Sequence, residues 1–187
     1  MAHPAEPPER PLARPAPVLV LVATALAAVA VLVVFMRRDP GMAAHIAEDY
    51  MDVAGGLVAP VVTTSDAAQL SSALSQRLGA RVAVPSLSPA GFVLAGGGVH
   101  EAGSRVVAYA IYHDALLDLV VWHGFAGTPA ALPASGEPRL LDGRQFWVQQ
   151  KATNTLVAWQ AGPILSVLTS SLPAERVVQL AAVASKP

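Results

Sequence analysis

Nineteen consecutive residues without a charge, Val18 to Met36, constrain this chain more than anything else in it. At about 1.5 Å per residue, a helix of that length spans roughly 28 Å, close to the ~30 Å hydrocarbon core of a bilayer. A helix is required there because lipid offers no partner for a backbone amide. Arg37 and Arg38 end the run abruptly. The competing reading is a cleaved signal peptide, whose apolar region covers about 7–15 residues before a small-residue cleavage site. Gly41-Met42-Ala43 is the available cut, but the length of the run favours a retained anchor.

Ahead of the anchor, residues 1–17 contain Pro4, Pro7, Pro8, Pro11, Pro15 and Pro17. Each proline removes a backbone donor and disfavours helix at the residue before it, so this tail is expected to be disordered or polyproline-like. The chain therefore divides into a tail (1–17), a transmembrane helix (18–36) and one domain (37–187). Arg10 and Arg14 on one side balance Arg37 and Arg38 on the other, and the positive-inside count is tied. The amino terminus tips the tail toward the cytoplasm.

The domain opens with helical periodicity. Ile46, Tyr50, Val53 and Leu57 form one apolar stripe, with His45, Glu48, Asp49 and Asp52 on the opposite face. A second helix runs from Asp66 to Leu78. Asp66 and Gln69 suit a capping arrangement, and Gly79 suits the stop. From Arg81 the pattern becomes that of strands: Phe92–Val99, Arg105–Tyr112 and Leu116–Trp122, then Gln145–Lys151, Thr155–Ala161 and Ile164–Thr169. Residues Gly124–Gly143 carry three prolines and read as a loop. Pro173 opens a last helix with Glu175 in its first turn, where a carboxylate is electrostatically favoured. The fold class is thus α+β: an anchor, two helices, an antiparallel sheet of about five or six strands, and a closing helix. Helices are expected on one sheet face, with a loop or a partner on the other.

Several function classes are excluded early. A net charge of −1 lacks the basic footprint needed for nucleic acid. The absence of cysteine removes disulfides, thiolate metal sites and cysteine nucleophiles. No Gly-x-Ser-x-Gly, Ser-x-x-Lys, phosphate loop or His-Glu-x-x-His is present, so no enzyme and no cofactor are expected. Gly96-Gly97-Gly98 lacks a following helix or lysine and reads as a bulge or close backbone approach.

No metal site is assigned. His45 and Asp49, one helical turn apart, are weak candidates, with a solvated helix face as the plainer reading. His100, His113 and His123 fall at strand ends. In the simplest register His113 lies at the far end of the sheet, and His100 and His123 point to opposite faces. Trp122, Trp147, Trp159, Tyr109, Tyr112, Phe125 and Phe146 either fill a core or line a groove for a peptide or an envelope protein.

The stretch Val84-Pro85-Ser86-Leu87-Ser88-Pro89-Ala90-Gly91-Phe92-Val93-Leu94-Ala95-Gly96-Gly97 resembles the extracytoplasmic domain of bacterial transmembrane anti-sigma factors. A Val-Pro-x-Leu-x-x-x-Gly-Phe-x-Leu-x-Gly-Gly pattern leads into the sheet there. Looser matches follow at Val107-Ala108-Tyr109, Leu156-Val157-Ala158-Trp159 and Ser170–Glu175. The resemblance covers His45 to the C-terminus. It implies a cytoplasmic tail, an outer sensory domain and a sigma factor or a membrane anti-sigma protein as partner. The family's cytoplasmic zinc-binding sigma clamp has no counterpart here: there is no cysteine, and seventeen residues precede the anchor. Three functions stay open. One is envelope signalling toward a sigma factor from the inner membrane, with the domain in the periplasm; another is a periplasmic peptide- or protein-binding module unrelated to transcription; the third is metal binding through the His45/Asp49 face of the first helix.

Overall fold

In the computed structural model, residues 41–102, 105–128 and 136–186 are described. The predicted tail and the predicted span Val18–Met36 lie outside them. Among the described residues no helix is long and apolar enough to cross a membrane.

Helix α1 (Met42–Ala54) buries Met42, Ala43, Ile46, Ala47 and Tyr50. Its stripe stops earlier than the sequence suggests. Gly55 ends the helix, and Leu57 lies beyond it, 80% exposed. Helix α2 (Ala67–Leu78) starts as expected, with the Asp66 carboxylate accepting from Ala68 N at 2.8 Å and Gln69 N at 3.2 Å. Gln69 does not return to Asp66; its Oε1 accepts instead from the Thr64 hydroxyl at 2.6 Å. Gly79 closes the helix in the left-handed region, φ 64°. The irregular segment that follows keeps its amides satisfied by borrowing side chains from α2. Val82 N and Val84 N donate to Ser75 Oγ and Ser71 Oγ, both at 2.9 Å.

Seven strands then build one antiparallel sheet: β1 (Val93–Ala102), β2 (Arg105–His113), β3 (Leu119–Ala126), β4 (Glu137–Leu141), β5 (Arg144–Lys151), β6 (Asn154–Ala161) and β7 (Ile164–Ser170). Their order is β1-β2-β3-β7-β6-β5-β4. The seventh strand, β4, falls within the stretch that reads as a loop. Pro138 and the polar residues around it hide its strand character, and such a strand is tolerated because it forms the sheet edge. Helix α3 (Ala174–Ala184) follows Pro173.

The sheet is covered on both faces, which corrects the expectation of helices on one side only. Leu70 and Leu74 of α2 and Val177, Leu180 and Ala181 of α3 join Tyr112, Trp122, Phe146, Val157 and Leu168 on one face. Met42, Ile46 and Ala47 of α1 meet Val107, Phe125, Leu156, Leu165 and Val167 on the other. Double coverage explains strands that are apolar at both alternations, such as Val107 to Tyr112. Burying each large side chain of these layers contributes about 1.5–3 kcal/mol.

The glycine triplet does what its composition suggests. Strand β1 bulges between Leu94 and Gly96, and Gly96 adopts φ 139°. Val62 and Gly97 exchange backbone hydrogen bonds of 2.9 and 3.0 Å. This bridge brings the segment after α1 against the outer edge of β1. At Gly98 the space a Cβ would need is filled by the Tyr109 ring.

Candidate functional site

The register places three chemistry-bearing side chains together. The β1–β2 hairpin pairs Ala102 with Arg105, so His100 stands opposite Val107. His123 of β3 stands opposite Tyr109 of β2. Val107 and Tyr109 are two apart on one strand and share a face. His100 and His123 therefore share it too, which corrects the expectation of opposite faces. Their ring centroids are 6.3 Å apart, edge to face. His113, paired with Leu119, lies at the other end of β2, as expected.

Helix α1 covers this face and supplies the third group. Asp49 Oδ2 is 2.6 Å from His100 Nε2 and 3.7 Å from His123 Nε2. Asp49 thus turns inward to the sheet, contrary to its assignment to the solvated face of the helix. His45, its predicted companion, faces Glu48 instead, with Nδ1 to Oε2 3.8 Å. The structure does not bring His45 and Asp49 to one point; it brings Asp49 to two histidines.

A cleft of about 500 Å³ opens beside this trio. Val53 of α1, residues 57–59, Val61, Val99 and Tyr109 contribute apolar wall, and the exposed Glu101 also borders the cleft. Tyr109 closes one side by donating from its hydroxyl to Ala59 O at 3.1 Å, with its ring 5.4 Å from that of His100. Burial pushes the Tyr109 hydroxyl pKa above its ordinary value, so it stays protonated as a donor. Asp49 is the carboxylate on this face, since Glu101 follows His100 in β1 and alternates to the other; the described lining has no lysine or arginine, and the field beside the histidines favours a cation.

His123 is the most unusual member. It is wholly buried, and burial pushes its pKa down to about 4, with Asp49 opposing and His100 reinforcing the shift. It is therefore a neutral imidazole at physiological pH, carrying a lone pair. Asp49 Oδ2, His100 Nε2 and both ring nitrogens of His123 are buried without a hydrogen-bond partner among the described residues. Asp49 and His100 are close, yet not aligned as donor and acceptor. These are four of the six such atoms among the described residues, the others being Trp122 Nε1 and Thr169 Oγ1, and their gathering around one carboxylate is unusual because nearly all buried polar groups are paired.

Chemically, a carboxylate beside an imidazole is the base half of a nucleophilic site. The described lining provides no serine, threonine, cysteine or lysine to complete one. The arrangement is suited to holding a ligand.

Of the aromatics, Trp122, Tyr112, Phe125 and Phe146 are fully buried core, and only Tyr109 reaches the cleft. Compared with protein-family models, curated proteins and solved structures, the chain matches none.

Proposed function

We propose that this is a membrane-anchored regulatory protein, similar in plan to transmembrane anti-sigma factors. On this reading the domain at 41–186 lies in the periplasm, receives a ligand in the cleft beneath α1 and relays its presence toward a sigma factor or a membrane anti-sigma partner. The observation that carries the proposal is the position of Asp49. Only five residues separate the predicted span from α1, and α1 is the helix that reaches into the cleft. A ligand that binds Asp49 better in one helix position than in another shifts the docking of the element that follows the predicted span in sequence. Differential affinity of that kind is all a relay needs.

The docking of α1 is suited to such a role. Outside the cleft it rests on a modest apolar stripe and on Tyr50, whose hydroxyl donates to Ser171 Oγ and accepts from Ser171 N, both at 3.1 Å. The alternative, a periplasmic module that holds a peptide or an envelope protein, draws on the exposed Leu57 and Val61, 80% and 60% accessible, beside the cleft.

Co-purification from detergent-solubilised membranes through a C-terminal tag, followed by mass spectrometry, separates the two. A sigma factor or its anti-sigma protein in the eluate, with its yield altered by Asp49→Ala, is the expected result. Envelope proteins alone under gentle conditions would overturn the regulatory reading and leave the binding module.

A further inference from the structure

We infer that Asp49, His100 and His123 form a binding site for one divalent transition-metal ion of the zinc class. This deepens the reading above by naming the ligand of its cleft, and it rests on four observations.

The donors converge from three separate elements, α1, β1 and β3, within 4 Å of one carboxylate oxygen. Local sequence cannot create such a convergence by helical or strand spacing alone. Next, an ion seated among the three gives a partner to Asp49 Oδ2, His100 Nε2 and one nitrogen of His123, three of the four orphaned atoms. A proton shared between Asp49 and His100 would leave both nitrogens of His123 unpaired. Burying a polar group without a partner costs about 1–3 kcal/mol, and His123 stands where an apolar residue would pack, beside Tyr109 and Val167.

The donor set itself selects the ion. Two imidazoles and one carboxylate suit zinc, nickel, copper or cobalt, whereas calcium and magnesium prefer all-oxygen sites. Finally, Asp49 brings a negative charge to this point, and no lysine or arginine stands among the described walls of the cleft to oppose a cation. Three protein ligands leave a fourth position open to the cleft.

One adjustment is required. Ligands of a tetrahedral ion with bonds of about 2.0–2.1 Å lie about 3.3 Å apart, and Asp49 and His100 approach to 2.6 Å. Accordingly, no group of three such side chains among the described residues is at metal-holding spacing as it stands. Asp49 and His100 are each more than a quarter exposed, so side-chain rotation supplies the opening of about 0.7 Å that this spacing requires. His123, held by the sheet, stays fixed.

The test uses the full chain in detergent, stripped with a chelator, carrying a histidine-free tag and His3→Gln so that the amino-terminal histidine does not compete. Titration with Zn²⁺ by calorimetry and with Co²⁺ by visible ligand-field absorption should each give one ion per chain. Mutating residues that merely orient a ligand already costs about 10–100-fold in affinity, so His100→Gln and Asp49→Asn should each weaken binding more than ~100-fold. His45→Gln and His113→Gln should leave it unchanged. His123→Gln is read only if its circular dichroism matches the parent; the two partly exposed variants decide in any case. No Co²⁺ bands and no heat with Zn²⁺ in the parent would overturn the inference, as would binding that survives both His100→Gln and Asp49→Asn. Absent metal binding with sigma-factor co-purification intact removes the ion and keeps the regulator. Metal binding without any transcription component does the reverse.

Discussion

Replacing Gly96 by alanine tests whether the bridge beside the cleft is built as described. The residue sits at φ 139°, and an added Cβ would lie 2.2 Å from Val62 O and 2.9 Å from Pro60 Cβ. The nearest obstacle is backbone, which cannot swing away like the end of a flexible side chain. Holding a non-glycine residue in this region costs about 1–3 kcal/mol. Pushing Val62 away also forfeits its two hydrogen bonds with Gly97, at about 0.5–1.5 kcal/mol each. The total is about 2–6 kcal/mol, a large part of the ~5–15 kcal/mol by which a domain is stable. Gly162 is the matched control. It has φ 60° with nothing within 4 Å of the added atom, so Gly162→Ala should cost only the left-handed penalty of about 1–2 kcal/mol. Urea unfolding followed by tryptophan fluorescence reports both, since all three tryptophans lie in the domain. If Gly96→Ala costs no more than Gly162→Ala, the close approach of residues 60–63 to β1 is wrong, and the wall of the cleft with it.

Other outcomes follow from the same geometry. Leu74→Ala, at a fully buried position between α2 and the sheet, should lose about 2–5 kcal/mol, measured by the same unfolding curves; a loss below 1 kcal/mol would contradict its burial. Asp66→Ala removes the carboxylate that caps α2 and should cost about 1 kcal/mol, with Asp66→Asn restoring most of it. Tyr50→Phe breaks both contacts to Ser171 and should raise hydrogen exchange in α1 selectively, leaving α3 unchanged. In metal-free protein, stability should fall as pH drops from about 6.5 toward 4. The unfolded chain takes up a proton there that buried His123, facing Asp49 and His100, does not. Its pKa, lowered from 6.5 to about 4, corresponds to about 3 kcal/mol at ~1.4 kcal/mol per pH unit. A pH slope that is identical in His123→Gln would refute that assignment.

Much of the fold is legible in the sequence, because its cues are local. The Asp66 cap, the Gly79 stop, the alternating runs and the proline before α3 each need only a few neighbouring residues to be read. Strand β4 escapes because an edge strand bears polar residues and proline, which also mark loops. The site escapes for a sharper reason. Whether His100 and His123 share a face depends on the number of residues in the β1–β2 turn, and a slip of one inverts the answer. Asp49 is hidden by its charge. It lies about 60° around the helix from Ile46, at the margin of the buried stripe, where composition alone assigns an acidic residue to solvent. Its angular position is the signal that could have found it.

The strand order also determines how the chain assembles as it is made. Strands β1 to β3 form one run of hairpins and β4 to β7 another, and β3 joins β7 where the two runs meet, pairing Val121 with Thr169. Until residues 164–170 have been synthesised, β3 presents an open edge of unpaired amides and carbonyls. A chain that ended before residue 164 would thus hold a half-sheet competent to pair with the wrong strand. Delivery of β7 is the event that ends this exposure, so the late strand, rather than the early helices, sets how long the nascent domain needs protection.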